Sequence, residues 1–196
     1  MGHGAIFGAV GAFLIFFIFQ LLLVHIANNR ARELGKEHKV KLMDLIVTSE
    51  NGTYSISRLQ MYLWTIAVLV GFGAVFMNNF KYEIPDIPKT LYILMGVNLS
   101  ASVAALAITT SRNDKITKGE PDFWKDIFFE SEDSLDLPRT QMFIWTIVSL
   151  FVFFFQLYSS LATNTPLLPD IPEGLIVLMG ISQGAYLGSK AAAPKK

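Results

Sequence analysis

Apolar and polar positions alternate along this chain in long blocks, not in the short periods of a soluble fold. Five runs, Ala5–Ala27, Met61–Met77, Leu91–Ile108, Met142–Leu161 and Leu175–Leu187, contain no Lys, Arg, Asp or Glu. About 20 apolar residues cross the hydrocarbon core of a bilayer and about 17 is near the lower limit, so the first four qualify as transmembrane helices on length. The fifth is shorter; its flanks, Pro172-Glu173-Gly174 before it and Gly188-Ser189-Lys190 after it, complete the span, with Lys190 reaching back to the headgroups. The pattern therefore predicts an all-α integral membrane protein with five transmembrane helices.

The polar blocks between the runs carry the second signal, because they repeat. RLQMYLWTI at Arg58–Ile66 returns as RTQMFIWTI at Arg139–Ile147, and PDIPKTLYILMGV at Pro85–Val97 returns as PDIPEGLIVLMGI at Pro169–Ile181. Each unit opens with a short stretch, Lys41–Val47 or Phe123–Phe129, whose apolar residues recur at helical spacing: Leu42, Leu45 and Ile46 in one, Trp124, Ile127 and Phe128 in the other. Such a segment ahead of a span predicts an amphipathic helix lying in the interface. The organisation expected is a first transmembrane helix over 1–29, a first repeat over 30–111 and a second over 112–196. Two spans per unit leave both copies in the same orientation, which predicts a pseudo-two-fold axis along the membrane normal.

Composition agrees with the class. Hydrophobic residues make up 52% and charged residues 16%, against about 25% charged in a soluble domain. The basic residues are segregated: 14 of the 16 Lys and Arg flank the same ends of the spans, leaving only Lys81 and Lys89 on the other side. The positive-inside rule then puts the N-terminus outside, the C-terminus inside and the two PDIP loops outside. The first run is too long for a signal peptide, lacks a basic start and has no small-residue cleavage site, so it reads as a retained helix. There is no cysteine, hence no disulfide framework and no thiolate metal site.

The repeated polar residues have structural explanations. Ser57 and Gln60 fit a capping box, and Asp136 with Pro138 supplies the equivalent start signal in the second copy. Arg58 and Arg139 fall at headgroup level as interface anchors; the functional alternative is contact with an anionic lipid or a partner carboxylate. Gln60 with Trp64, and Gln141 with Trp145, lie four apart on one helix face, placed to hydrogen-bond a neighbouring helix or, in a sharper reading, to line a pore. Asp86 and Asp170, each before Ile-Pro, are expected to cap the descending helices. Gly180, Gly184 and Gly188, with counterparts Gly96, Ser100 and Ala104, form ladders of small residues that let helices pack closely. Gly4, Gly8 and Gly11 suggest another close contact. Asn98, Gln156 and Gln183 are candidates for a polar contact or a pore lining.

The catalytic inventory is empty. His3, His25 and His38 form no ligand pair at helical spacing, and no nucleotide-binding, zinc-protease or serine-hydrolase motif occurs. No catalytic residue, cofactor or metal is expected, although His25 near a membrane face leaves a haem or chlorophyll ligand as an alternative. The acidic run Asp122, Asp126, Glu130, Glu132, Asp133 and Asp136 lacks the calcium-loop pattern and reads as a solvated face.

The string S-R-x-Q-x-x-x-W-T, a span, L-P-x-I-P, then L-M-G-I-S-x-x-x-Y-L-G-x-K resembles a paired-helix unit of uncharacterised bacterial membrane proteins. It is matched by Arg58, Gln60, Trp64 and Thr65 in the first copy and by Leu168, Pro169, Ile171, Pro172, Leu178–Ser182, Tyr186–Gly188 and Lys190 in the second. The first copy departs at Val97-Asn98-Leu99-Ser100. The resemblance implies the bacterial inner (cytoplasmic) membrane and attaches no activity. The reading is a non-catalytic structural or anchoring subunit whose partners are the bilayer and either its own copies or other membrane proteins, with no nucleic acid. An oligomeric ion channel or pore-forming effector is the alternative, and a pigment-binding subunit a third. Positions where the copies differ, Asn98 against Ser182, Lys89 against Glu173 and Ala104 against Gly188, are where function is sought.

Overall fold

A computed structural model describes residues 3–35, 40–47, 53–79, 84–112, 122–131, 134–163 and 166–192. The basic residues Lys36, Lys39, Lys81, Lys115, Lys118, Lys195 and Lys196, together with His38, Glu132 and Asp133, lie outside the described residues. The elements are α1 His3–Glu33, α2 Leu42–Val47, α3 Ile56–Asn79, α4 Lys89–Arg112, α5 Phe123–Phe128, β1 Phe129–Ser131, β2 Ser134–Leu135, α6 Leu137–Leu161 and α7 Glu173–Ala192. Among the described residues the regular structure is helical except for one short antiparallel hairpin, β1–β2, which the apolar pattern does not foreshadow.

Four helices, α1, α3, α4 and α6, are long and apolar enough to cross a membrane. The fifth expected span, α7, is not among them. It is nevertheless a 20-residue helix with a buried stripe, Ile176, Met179, Ser182, Gln183 and Tyr186, laid against α4 and α6.

Four helices enclose the core. Around the bundle the order is α3, α4, α7, α6, each packed on the next, and α1 lies outside against α3. This order corrects the expected two-fold axis along the bundle: such an axis would set α3 diagonally across from α6. Instead α3 lies beside α6 and α4 beside α7, so the second hairpin is displaced sideways from the first. The central layer is filled by Trp64, Ala67, Leu91, Leu94, Phe153, Leu157 and Met179, with Trp64 edge-on to Phe153 at 6.0 Å between ring centroids.

The short elements seal the end where α3 and α6 begin. Asp122 caps α5, accepting from Trp124 N at 3.0 Å and Lys125 N at 3.2 Å. The helix buries Ile127 completely among Ile56, Ala105, Met142 and Tyr186. Trp124, expected on the same apolar face, is instead exposed and stacked on Phe128. Asp136 caps α6 through Arg139 N at 3.1 Å, with a proline in the first turn. In α3 the expected capping box does not form. The helix starts at Ile56, so Ser57 falls inside the first turn, where its buried hydroxyl makes no hydrogen bond among the described residues. Gln60 is drawn elsewhere.

The closest helix approach joins α1 to α3. A Cβ on Gly4 would stand 2.7 Å from the Met77 carbonyl oxygen, one on Gly73 would stand 2.5 Å from the Gly8 carbonyl oxygen, and one on Gly8 would collide with the Gly73 carbonyl. Only glycine permits this backbone-to-backbone contact. Gly11, the third member of that series, faces open space.

Candidate functional site

The centre of the bundle holds three amides. Gln60 from α3, Asn98 from α4 and Gln183 from α7 are all at least 98% buried, and Thr146 of α6 is buried beside them. Gln60 Nε2 donates to the Met142 carbonyl at 3.2 Å and to Thr146 Oγ1 at 2.5 Å. Gln183 Nε2 donates to Gln60 Oε1 at 3.3 Å and to Asn98 Oδ1. One lattice thus ties all four helices, including the diagonal pair α3 and α7.

The carbonyl of Met142 fixes the orientation of every amide. It can only accept, so Gln60 must turn its NH2 toward α6 and its oxygen toward α7. Gln183 must answer with its own NH2, and Asn98 must then present oxygen. Two valences are left over, Asn98 Nδ2 and Gln183 Oε1, which make no hydrogen bond among the described residues, and Trp64 Nε1 is a third. Amide groups buried this deeply in an apolar bundle hold its helices in one register, because any slip leaves more of them unpaired.

Sequence reasoning singled out all three amides, and the fold brings together Gln60, Asn98 and Gln183. It separates Gln156, which is half-buried on α6 about 15 Å along the helix from Thr146. The two Gln–Trp pairs divide: Gln60 and Trp64 are buried, whereas Gln141 is exposed and Trp145 only half-buried. Thr146 lies alongside the Gln141–Trp145 pair in the sequence, whereas Ser149 was not foreseen as a member of the central layer. Their signal is the buried face of α6, Met142, Thr146, Ser149, Phe153 and Leu157, at helical spacing.

The other candidates resolve into fasteners. Arg139 Nη1 donates to the carbonyls of Asp126 and Phe129, both at 3.0 Å, its Nε lies 2.9 Å from Asp136 Oδ2, and its guanidinium sits 5.4 Å from the Tyr186 ring centroid. It therefore clamps α5, β1, α6 and α7 together. Arg139→Lys keeps the charge but cannot reach both carbonyls. It is expected to cost about 1.5 kcal/mol, read as a lower midpoint in thermal unfolding followed by near-ultraviolet circular dichroism. Of the acidic run, Asp126 Oδ2 accepts from Tyr54 N at 3.0 Å, while Asp122 and Asp136 are caps.

The PDIP loops differ from expectation. Asp170 lies ahead of α7 but does not cap it: its carboxylate accepts the Thr90 hydroxyl, and Thr90 Oγ1 in turn accepts from Ile171 N at 3.0 Å. This clasp joins the second loop to α4. Thr90 was missed, although its counterpart is Gly174, one more difference between the copies. Asp86 is exposed, three residues before α4. The ladder residues also turn away from the bundle. A Cβ on Gly96, Gly180, Gly184 or Gly188 would meet nothing within 4 Å, Ser100 is exposed and Ala104 half-buried. The glycines of these two ladders therefore mediate no close helix contact within the chain.

Among the described residues no cluster of three His, Asp or Glu could hold a metal ion. Asn29 Nδ2 donates to His25 Nε2 at 3.0 Å on the exposed side of α1. No known protein family, curated protein or solved structure matches the chain.

Proposed function

We propose that this chain is a non-catalytic structural or anchoring subunit of a bacterial membrane assembly. In this reading α7 is the fifth span, its 20 residues covering about 30 Å, and the basic ends of the helices face the cytoplasm. The observation that carries it is the division of chemistry across the bundle. The amides of Gln60, Asn98 and Gln183 bond to one another at the centre, while Gly96, Ser100, Gly180, Gly184 and Gly188 present an open small-residue face on α4 and α7. Helices associate in lipid by close backbone approach across such faces, since the lipid supplies no hydrophobic drive. A channel through one chain finds less support, because the amides and Trp64 fill the axis that ions would use.

Purification in a mild detergent followed by native mass spectrometry tests the reading. A stoichiometric assembly is expected, with itself or with another membrane protein, and Gly184→Leu is expected to weaken it while leaving membrane insertion intact. A lone chain, unaffected by that substitution, would count against a packing role.

A further inference from the structure

The contact between α3 and α6 has a second, unused edition on the outside of the molecule. Arg58–Ile66 and Arg139–Ile147 match in sequence, so Gln60, Met61, Trp64 and Thr65 correspond to Gln141, Met142, Trp145 and Thr146, and in the same register Phe72 corresponds to Phe153. Within the chain, α3 supplies the donor half: Gln60 donates to Met142 O and Thr146 Oγ1, and Trp64 packs edge-on against Phe153. The acceptor half belongs to α6, where Thr146 Oγ1 donates to Met142 O at 2.7 Å and thereby turns its lone pairs toward Gln60.

Because the second hairpin is displaced sideways and not rotated about a shared axis, each half has a counterpart that does not make this contact within the chain, although Trp145 and Phe72 rest partly against the core. On α6 the donor face points outward: Gln141 is exposed with no hydrogen bond among the described residues, and Ile144, Val148 and Phe155 on the same side are 51%, 37% and 65% exposed. On α3 the acceptor half is already formed. Thr65 Oγ1 donates to Met61 O at 2.8 Å, the same bond that Thr146 makes to Met142, and Met61, Thr65 and Phe72 are all half-buried. The first helix borders this face only at Phe72, which shares an apolar groove with Ala12, Phe16 and Phe19, and α2 packs on α3 as well. The first helix packs along Tyr62, Gly73 and Met77, about a quarter turn around α3 from Met61 and Thr65.

We propose that a second copy of this chain docks by continuing that contact, with Gln141 and Trp145 of one copy against Met61, Thr65 and Phe72 of the next. Donor and acceptor halves sit on different edges, so the association is head-to-tail, and it closes into a ring or extends as a row according to the rotation per step. Both hairpins run the same way across the bundle, so every copy keeps one orientation in the membrane. In the other layer the counterpart of Gln183 is Leu99, which is exposed, and there the contact between copies is apolar. The inference rests on the packing-subunit reading and names its partner.

The chain has no cysteine, so introduced thiols are unique. Gln141→Cys and Thr65→Cys are made in separately tagged chains, co-expressed, and treated in native membranes with a short bifunctional thiol reagent. A mixed cross-link is expected from the co-expressed pair and none from either chain alone; a single chain carrying Gln60→Cys with Thr146→Cys serves as the control that the reagent spans this contact. Gln141→Cys cross-linking to itself would mean a two-fold dimer through α6 and would overturn the proposal. So would the lack of a mixed product when the control closes. In that second case, recovery of a different membrane protein with the chain would leave the packing-subunit reading standing, whereas that reading fails on a lone chain in native mass spectrometry and not on this cross-link.

Discussion

Gly8→Leu is expected to detach α1 from α3. The added side chain would run into the Gly73 carbonyl and the Met77 side chain, and backbone cannot yield as a flexible side chain can. Overpacking at such a site costs about 3 kcal/mol, and the clash falls at the point where the two backbones come closest. Gly11→Leu, at a glycine that faces open space on the same helix, is the matched control and should be silent. The readout is a thiol cross-link between Phe16→Cys and Tyr62→Cys, whose rings lie 5.5 Å apart. It should form in the parent and with Gly11→Leu and be lost with Gly8→Leu. Cross-linking that survives Gly8→Leu would mean that α1 is held by something other than the glycine contact.

The second large effect belongs to the amide lattice. Gln183→Leu removes both donors that reach Asn98 Oδ1 and Gln60 Oε1, leaving two acceptors buried without partners. Single hydrogen bonds between membrane helices average about 0.6 kcal/mol, but orphaning a buried group costs about 1–3 kcal/mol. A loss of about 3 kcal/mol is therefore expected in reversible unfolding in mixed micelles. Gln156→Leu, outside the lattice, should change little. The more telling variant combines Gln60→Leu, Asn98→Leu and Gln183→Leu. Removing every partner at once leaves few groups orphaned, so the triple variant should recover part of the loss instead of summing three. Simple additivity would contradict a coupled network.

Apolar run length and the repeat made the helices legible, and the split of the 16 basic residues sorted the span ends into two sets. Run length could not say how the hairpins lie together. A repeat at constant orientation suits a two-fold axis and a sideways displacement alike, and only the α3–α4–α7–α6 order distinguishes them. The same gap explains the Gln–Trp pairs. Gln60 and Gln141 have closely similar local sequence, yet one is buried and one exposed, because what covers a helix face is set by the neighbouring hairpin. Asn98 was legible as a difference between the copies, and it stands at the centre. Thr90 against Gly174 carried the same signal and was passed over, since a hydroxyl at the start of a helix reads as an ordinary cap until the Asp170 loop is seen to reach it. The small-residue ladders were legible as packing surfaces, but spacing alone could not show that they face away from the bundle.

The claim that polar side chains at membrane depth hold the bundle together and do not conduct is tested most directly by planar-bilayer recording of the purified protein. A silent bilayer is predicted across both polarities of applied voltage, at protein densities where a known channel gives clear steps. Reproducible, ion-selective conductance that scales with protein and disappears with Asn98→Leu would contradict it.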